Sequence, residues 1–365
     1  SIYQHYKNTK GLLLPYTEKA IKQHTRPKSS VGFLTAAKAP LPNAPAKTSL
    51  YTGFDKFLKP TVIGALKGKS KKLPANSIFV KPGESIQEAI DSNQKSGKWI
   101  ILEAGVHTLK APLKIYSGTL LAGQGRETII FPAPQTETAI INGENILSDV
   151  TIRNLLIEGA TKVTENADPN HDRRSRSYMN APSREGVIFK SKEKDGIQNI
   201  TFDNITIQNF TKNGVAIVGG KNIRINQCDF SDNGASVVPG AGFHHNLHLS
   251  YITNCDITSS RFDTSPYGNG INATFCQNVK VINSEMARNG LSGIRCAESN
   301  RISINNSLAE GNNEHGIFIE KQMNPCKDIT IHQNTVQNNR YCGIDAQTAI
   351  QLNIKDNRSL HNGRE

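Results

Sequence analysis

The stretch VKVINSEMARNGLSGIRCA (residues 279–297) is followed by ISINNSLAEGNNEHGIFIE (residues 302–320), which repeats the same pattern 23 residues later. In each stretch a run of alternating apolar and polar residues leads into a turn, and a second short run follows a glycine. Alternation with a period of two indicates β-strands with one buried side, because successive side chains point to opposite sides of a strand. The two stretches therefore predict stacked coils of short β-strands.

The same unit recurs from about residue 146 to the end of the chain. The second short runs begin at Gly186, Gly214, Asn246, Gly270, Gly293, Gly316 and Gly343. Their spacings are 28, 32, 24, 23, 23 and 27 residues, which is too short for repeats built from two helices. We therefore expect an all-β fold, a right-handed parallel β-helix, over residues 77–365.

The N-terminal end of this solenoid carries its own signal. Ser85 and Glu88 form a capping box, and Ile86, Ala89 and Ile90 supply the apolar side of a short helix. Such a helix would cover the first coil, whose core and strand edge would otherwise be exposed. Strand-like runs follow at residues 99–102, 119–121 and 128–131.

Residues 1–76 lack sustained periodicity and are predicted to form an irregular basic arm. Residues 1–80 contain 14 Lys and Arg against two acidic residues, which accounts for the whole formal charge of +12. Such an arm could hold a polyanion or lie solvated along the solenoid. No nucleic-acid-binding motif accompanies it, and no apolar stretch is long enough to span a membrane, so neither partner is expected. The sequence leaves the oligomeric state open.

The six cysteines show no CxxC spacing, so we expect neither a zinc motif nor a redox motif. No dense group of carboxylates indicates calcium, although calcium remains possible, and no cofactor is expected. His244 and His248 would lie about 13 Å apart on one strand, too far for one metal ion. A further repeat position is polar and is interpreted as a structural ladder at a bend between strands. Its predicted members are Asn204, Gln227, Ser259, Asn283, Asn306, Asn334 and Asn357.

The candidate functional residues lie on the outward side of the second short runs. Alternation predicts two outward columns, read coil by coil. The first is Ile188, Ala216, His248, Asn272, Arg295, Phe318 and Asp345; the second is Lys190, Val218, Ser250, Thr274, Ala297, Glu320 and Gln347. Because neighbouring coils lie about 4.8 Å apart, His248, Asn272 and Arg295 should line up within reach of one sugar. Two longer loops, at residues 159–185 and 231–245, are expected to border the same columns.

From residue 77 onwards the chain resembles the pectate-lyase-like superfamily of parallel β-helices. The resemblance is carried by the capping helix, by LLAGQGRETIIF (residues 120–131) and by the coils themselves. ADPNHDRRS (residues 167–175) is similar to the Asp-Pro-His-Asp motif of mannuronan C5-epimerases, with Asn170 interrupting it. The paired aspartates and Gly-His-Gly turn of galacturonases are absent. Members of the superfamily largely act on polysaccharides, and alginate lyases and C5-epimerases are the most similar in character.

This resemblance implies an acidic, uronate-containing polysaccharide as substrate, alginate above all, and β-elimination as the reaction. Arg295 and Asn272 would neutralise the uronate carboxylate, His248 would remove the C5 proton, and Tyr178 or Tyr267 would supply the acid. The predicted substrate-binding residues are Lys190, Arg184, His171, Arg173, His244, His245, His315 and Glu320. We expect the protein to be secreted or periplasmic.

Three alternatives remain open at this point. A C5-epimerase would begin with the same proton abstraction. An inverting glycoside hydrolase would need two carboxylates, for which Glu320 and Asp345 are candidates at roughly 8 Å. A non-catalytic carbohydrate-binding solenoid would be expected to show aromatic platforms, whereas the outward columns contain only Phe318.

Overall fold

The computed structural model describes residues 76–133, 136–159, 185–234, 237–238 and 242–363. Over these residues the chain is a right-handed parallel β-helix with one short helix, as the sequence predicts. The basic arm and most of the loop at 159–185 lie outside the described residues. No helix in the described part of the chain is long and apolar enough to cross a membrane.

The helix α1 (Ile86–Ser92) forms where the capping box predicts it. Ser85 is its N-cap, and the Ser85 hydroxyl accepts a hydrogen bond from the backbone N–H of Glu88 at 3.1 Å. Ile86 and Ile90 are buried at the first coils. The helix thus closes the N-terminal end of the core.

Each complete coil contributes strands to three parallel faces. The first face contains β4 (Leu113–Ile115), β7 (Thr138–Asn142), β9 (Glu185–Lys190), β16 (Ile271–Thr274), β19 (Ile294–Ala297), β22 (Ile317–Glu320) and β25 (Ile344–Asp345). The second face contains β1 (Ile78–Val80), β2 (Trp99–Leu102), β5 (Leu120–Ala122), β17 (Gln277–Ile282), β20 (Asn300–Asn305), β23 (Lys327–His332) and β26 (Ile350–Lys355). The third face contains β3 (Gly105–Leu109), β6 (Thr128–Pro132), β12 (Asp229–Phe230), β18 (Glu285–Ala287), β21 (Leu308–Glu310), β24 (Thr335–Gln337) and β27 (Arg358–Leu360).

Four long strands bend from one face into the next. They are β8 (Leu147–Glu158) and β10 (Ile197–Gln208), which join the second and third faces, and β11 (Val215–Asn226) and β15 (Leu247–Thr258), which join the first and second faces. A small antiparallel hairpin, β13 (Val237–Val238) with β14 (Gly242–Phe243), lies in the loop before β15.

The core is filled by stacked apolar side chains from all three faces. Phe189, Phe202, Phe230 and Phe262 form a continuous aromatic series, with successive ring centroids 6.1, 6.0 and 5.7 Å apart. All four rings are fully buried. Close packing of this kind makes each coil depend on its neighbours for stability.

The polar ladder exists, but its predicted membership was wrong at two positions. Asn204, Gln227, Ser259, Asn283 and Asn306 share one turn position with positive φ, where the next two coils place Gln333 and Asp356. Asn334 and Asn357 belong one residue later, in line with Ser284 and Ser307. There each side chain accepts from the backbone N–H of the preceding coil, as Asn334 does from Ser307 at 2.9 Å. The error arose because asparagine suits both positions.

Buried asparagines also fix the turn between the third and first faces. The side-chain amide of Asn289 donates to Asn312 at 3.0 Å, Asn312 donates to Asn339 at 2.9 Å, and Asn339 donates to Asn362 at 2.9 Å. The same amides also satisfy backbone carbonyls inside the turn, such as Phe262 O. Because buried polar groups that are fully paired resist movement, this ladder holds the residues just after it in fixed positions.

Candidate functional site

The first outward column lies on the first face in the predicted register. His248 on β15 pairs with Asn272 on β16, Asn272 with Arg295 on β19, and Arg295 with Phe318 on β22. The second column is confirmed in the same way, from Lys190 to Glu320. Parallel stacking therefore places these side chains next to one another in space.

A continuous chain of hydrogen bonds connects four of these side chains. The Asn272 amide donates from Nδ2 to His248 Nδ1 at 3.1 Å, and its Oδ1 accepts from Arg295 Nη1 at 2.9 Å. Arg295 donates from Nε to Glu320 Oε2 at 2.7 Å and also from Nη2 to the same oxygen. Arg295 has five N–H donors, of which three are used by partners in the described part of the chain, so two can serve a ligand.

This chain of bonds determines which nitrogen of His248 carries a proton. The Asn272 oxygen must face the Arg295 donor, so its amide nitrogen faces His248 Nδ1, which therefore accepts. In the neutral imidazole the proton is then on Nε2. Burial, followed by the charge of Arg295, lowers the pKa of His248 to about 4. With this tautomer the neutral His248 ring can donate a hydrogen bond from Nε2.

The other two histidines of the HHNLH stretch lie in the turn that precedes β15. The His245 ring stacks on His248 with centroids 5.8 Å apart, and its Nδ1 accepts from the backbone N–H of Asn269 at 2.9 Å. Burial lowers the pKa of His245 well below its usual value and the pKa of His244 to about 4. Desolvation therefore keeps these imidazoles neutral.

Glu314 is the most perturbed carboxyl near this column, and sequence reasoning missed it. It follows the asparagine ladder in the turn before β22 and is 7% exposed. Burial and then the charge of Glu320 raise the pKa of Glu314 to about 8, while Arg295 and Arg340 oppose the shift. Glu314 is therefore protonated at neutral pH. The only sequence signal was its position, two residues before the glycine that opens the next run.

The remaining predicted residues differ in their placement. Tyr267 is 2% exposed, which leaves its ring little surface for a polymer. Lys190 is exposed at the end of β9, and His315 stacks on Phe318 with centroids 4.6 Å apart. The Oδ2 atom of Asp345 lies 3.9 Å from the Nδ1 atom of His315. Tyr178, Arg184, His171 and Arg173 lie outside the described residues.

An exposed aromatic pair borders the same face and was also missed. The rings of Tyr251 and Phe275 are stacked with centroids 4.8 Å apart and planes 6° apart, and the side chains are 58% and 36% exposed. Both residues have a φ of 56°, in a turn position where the preceding coil has Gly219. A bulky residue is unusual in this conformation. The pair follows immediately after Ser250 and Thr274 of the second column.

The comparisons with known proteins agree with the fold. Residues 185–359 match the family model described as a right-handed beta helix region. The A-module of the Azotobacter vinelandii mannuronan C-5 epimerase AlgE4 aligns at 14% identity and a TM-score of 0.50, covering 76% of this chain and 91% of the module. PfbA, a surface adhesin of Streptococcus pneumoniae, aligns at 11% identity and a TM-score of 0.52, covering 79% and 91%.

The enzymatically active domain of bacteriophage CBA120 tailspike protein 2 aligns at 14% identity and a TM-score of 0.51, covering 80% of this chain and 43% of that one. The sequence has no significant match among curated proteins. At these identities the likeness to solved structures shows the fold alone. The solved structures of this fold thus include a carbohydrate-modifying epimerase, a phage enzyme and an adhesin, so the reaction has to be argued from the site.

Proposed function

We propose that this protein is a polysaccharide lyase that binds a uronate-containing polymer, alginate above all, across the first face and cleaves it by β-elimination. The observation that carries the proposal is the Arg295–Glu320 ion pair between adjacent coils, together with the buried carboxyl of Glu314, whose pKa of about 8 is influenced by the charges of both partners. Because such a polymer lies outside the cytoplasm, the proposal includes a secreted or periplasmic location.

The carboxylate of the sugar would be bound by neutral and cationic donors together. Arg295 offers its two remaining N–H groups, and His248, which lies two coils before Arg295, offers its Nε2–H. A neutral imidazole can stabilise the enediolate that forms when the C5 proton is removed, because its Nε2–H donates a hydrogen bond to the oxygen on which the negative charge develops. Asn272 uses its amide to hold these two donors in place and acts as a positioning residue.

The two carboxyl groups would carry the proton transfers. Glu320 Oε2 accepts both bonds from Arg295, which leaves Oε1 to remove the proton from C5. The electron pair forms the C4–C5 double bond, the C4–O bond breaks, and Glu314 gives its proton to the departing glycosidic oxygen. Carboxyl groups whose environments differ in this way suit separate acid and base roles.

The Tyr251–Phe275 pair would form an aromatic platform for a neighbouring sugar ring. Replacing either residue by asparagine, which tolerates positive φ, is expected to raise KM by roughly 2- to 10-fold with little change in kcat, since one stacking contact is worth about 0.5–1.5 kcal/mol. Phe79→Asn is the matched control, because Phe79 is 47% exposed on β1 of the second face. A fall in kcat with unchanged KM would contradict the platform.

Hydrolysis is the second candidate, and the raised pKa of Glu314 favours it as well. A glycoside hydrolase needs one protonated and one ionised carboxyl across the scissile bond, which Glu314 and Glu320 could supply. This pair replaces Glu320 and Asp345 as the hydrolase hypothesis. A C5-epimerase would use the same carboxylate-binding groups but would return a proton to the sugar.

The deciding experiment is ultraviolet absorbance during incubation with alginate, polymannuronate, polyguluronate, pectate and chondroitin in separate reactions. A rising signal from an unsaturated uronate, abolished in Glu320→Gln, is the expected result. Shortened chains without absorbance would support the hydrolase, and proton NMR showing inverted C5 in uncut chains would support the epimerase. Binding without any product from these polymers would overturn the enzymatic proposal.

A further inference from the structure

A second cluster of reactive side chains lies on the C-terminal side of the Arg295–Glu320 pair. His315, Cys342 and Asp345 each offer one ligand atom, and these three atoms all lie within 4.8 Å of one another. His315 Nδ1 is 3.9 Å from Asp345 Oδ2. All three residues are partly exposed, and none has a role in the proposed elimination. Within the described residues this is the one group of three or more such ligands that could hold a metal ion.

The repeat itself brings these residues together. The backbone bonds Gly293 N–H to His315 O and Gly316 N–H to Cys342 O place His315 and Cys342 at one position of adjacent coils. Asp345 follows Cys342 by three residues, which is the offset that stacks His245 on His248 and His315 on Phe318. The cluster therefore follows from the register of the coils, and CxxC spacing is not needed to form it.

We propose that His315, Cys342 and Asp345 bind one Zn²⁺ ion. Imidazole nitrogen, thiolate sulfur and carboxylate oxygen are the three ligand types of protein zinc sites, with bonds of about 2.0–2.3 Å. Tetrahedral coordination with such bonds separates ligand atoms by about 3.3–3.8 Å. The His315–Asp345 distance of 3.9 Å is already close to this value, and the other two distances, each at most 4.8 Å, need to shorten by no more than about 1.5 Å. Three protein ligands leave a fourth position for water or substrate.

Neighbouring rings restrict the orientation of the histidine ligand. Phe318 stacks on the His315 ring with planes 22° apart, and Tyr341 packs against it at 5.5 Å and 59°. Groups that hold a ligand in place strengthen metal binding, because less freedom is lost when the ion arrives. A thiolate ligand also argues against calcium or magnesium, which prefer oxygen alone.

A Cys–His–Asp nucleophile arrangement fits less well. In that arrangement the two imidazole nitrogens face opposite partners, one the thiol and the other the carboxylate. Here a single ring nitrogen of His315 lies within 4.8 Å of both Cys342 Sγ and a carboxylate oxygen of Asp345. Convergence of three ligand atoms on one point is the geometry that a metal ion requires.

The test is metal binding by the full chain, read without any polysaccharide. Metal-free protein is titrated with Zn²⁺ against a chromophoric chelator, and separately with Co²⁺ while the thiolate-to-cobalt charge-transfer absorbance is recorded. We expect one tight equivalent of zinc and one cobalt–thiolate signal. Cys342→Ser should abolish that signal, and His315→Ala or Asp345→Asn should each weaken zinc binding at least about 10-fold.

His332→Ala provides the matched control. His332 Nε2 lies 2.9 Å from Asp356 Oδ2 on the second-face side of the C-terminal coils, a histidine–aspartate pair without a nearby thiol ligand. It should bind zinc as the wild type does, and circular dichroism should show all variants folded. Absence of a tight equivalent, or retention of the cobalt–thiolate signal in Cys342→Ser, would overturn the proposal. The five other cysteines are buried, and the result is independent of lyase activity.

Discussion

Replacing Arg295 by lysine is expected to lower kcat/KM on the acidic polymer by at least about 100-fold while the β-helix remains folded. Arg295 donates twice to Glu320 and once to Asn272, and it retains two N–H groups for the substrate. An ammonium group has three donors on one atom, so it cannot hold Glu320 and Asn272 and also pair with a carboxylate in two places. The loss should appear in steady-state kinetics with unchanged circular dichroism.

Arg224→Lys is the control for this change. Arg224 is exposed on the second face, away from the outward columns of the first face. The control therefore makes the same charge-conserving replacement of arginine by lysine without touching the site. It should retain full activity. If Arg295→Lys retained more than about a tenth of the wild-type kcat/KM, the guanidinium would not be binding the substrate carboxylate. The proposal that the substrate is a uronate polymer would then lose its main support.

The fold could be predicted because it follows from periodicity. Alternation identified the strands, and the spacing of the glycines identified the coils, so stacking fixed His248, Asn272 and Arg295 in one column. That column is the part of the site that was predicted from the sequence and confirmed in register. The corresponding side-chain contacts could not be predicted, because they depend on rotamers and on the orientation of one amide.

The residues that were missed lie in turns or, in the case of Tyr251, where strand β15 bends from the first face into the second. Glu314, Tyr251, Phe275 and Cys342 lie outside the alternating part of each coil, where a period of two no longer tells which way a side chain points. Tyr251 and Phe275 also have positive φ, a conformation for which the sequence would have suggested glycine or asparagine. Burial is likewise invisible in sequence, which is why the lowered pKa values of His244 and His248 could not be predicted.

Glu314→Gln is expected to have two separate effects. As the proton donor to the glycosidic oxygen, Glu314 should contribute about 100- to 10,000-fold to turnover, and glutamine cannot supply that proton. Wild-type kcat/KM should fall as the pH rises above about 8, because the pKa of Glu314 is raised to about 8 and its acid form is then lost. The residual activity of the variant should lack this limb of the pH profile.

The second effect is on stability and has a defined sign. Between the ordinary pKa of 4.5 and the folded value of about 8, the folded chain binds more protons at Glu314 than the unfolded chain does. Wild-type stability should therefore decrease with rising pH across this window relative to Glu314→Gln, by up to roughly 5 kcal/mol. Thermal unfolding midpoints of the two proteins, measured from pH 4.5 to 9, should diverge in that direction.

Glu127→Gln serves as the control, because Glu127 is an exposed residue beside β6 of the third face, and its activity should match that of the wild type. Parallel midpoints for wild type and Glu314→Gln would mean that Glu314 is ionised in the folded protein, and it could then not be the acid. Divergent midpoints with full activity in Glu314→Gln would leave the carboxyl buried and protonated but outside the reaction. Only divergence together with a large loss of turnover fits a proton donor, since burial then serves to keep the proton available at the pH of the reaction.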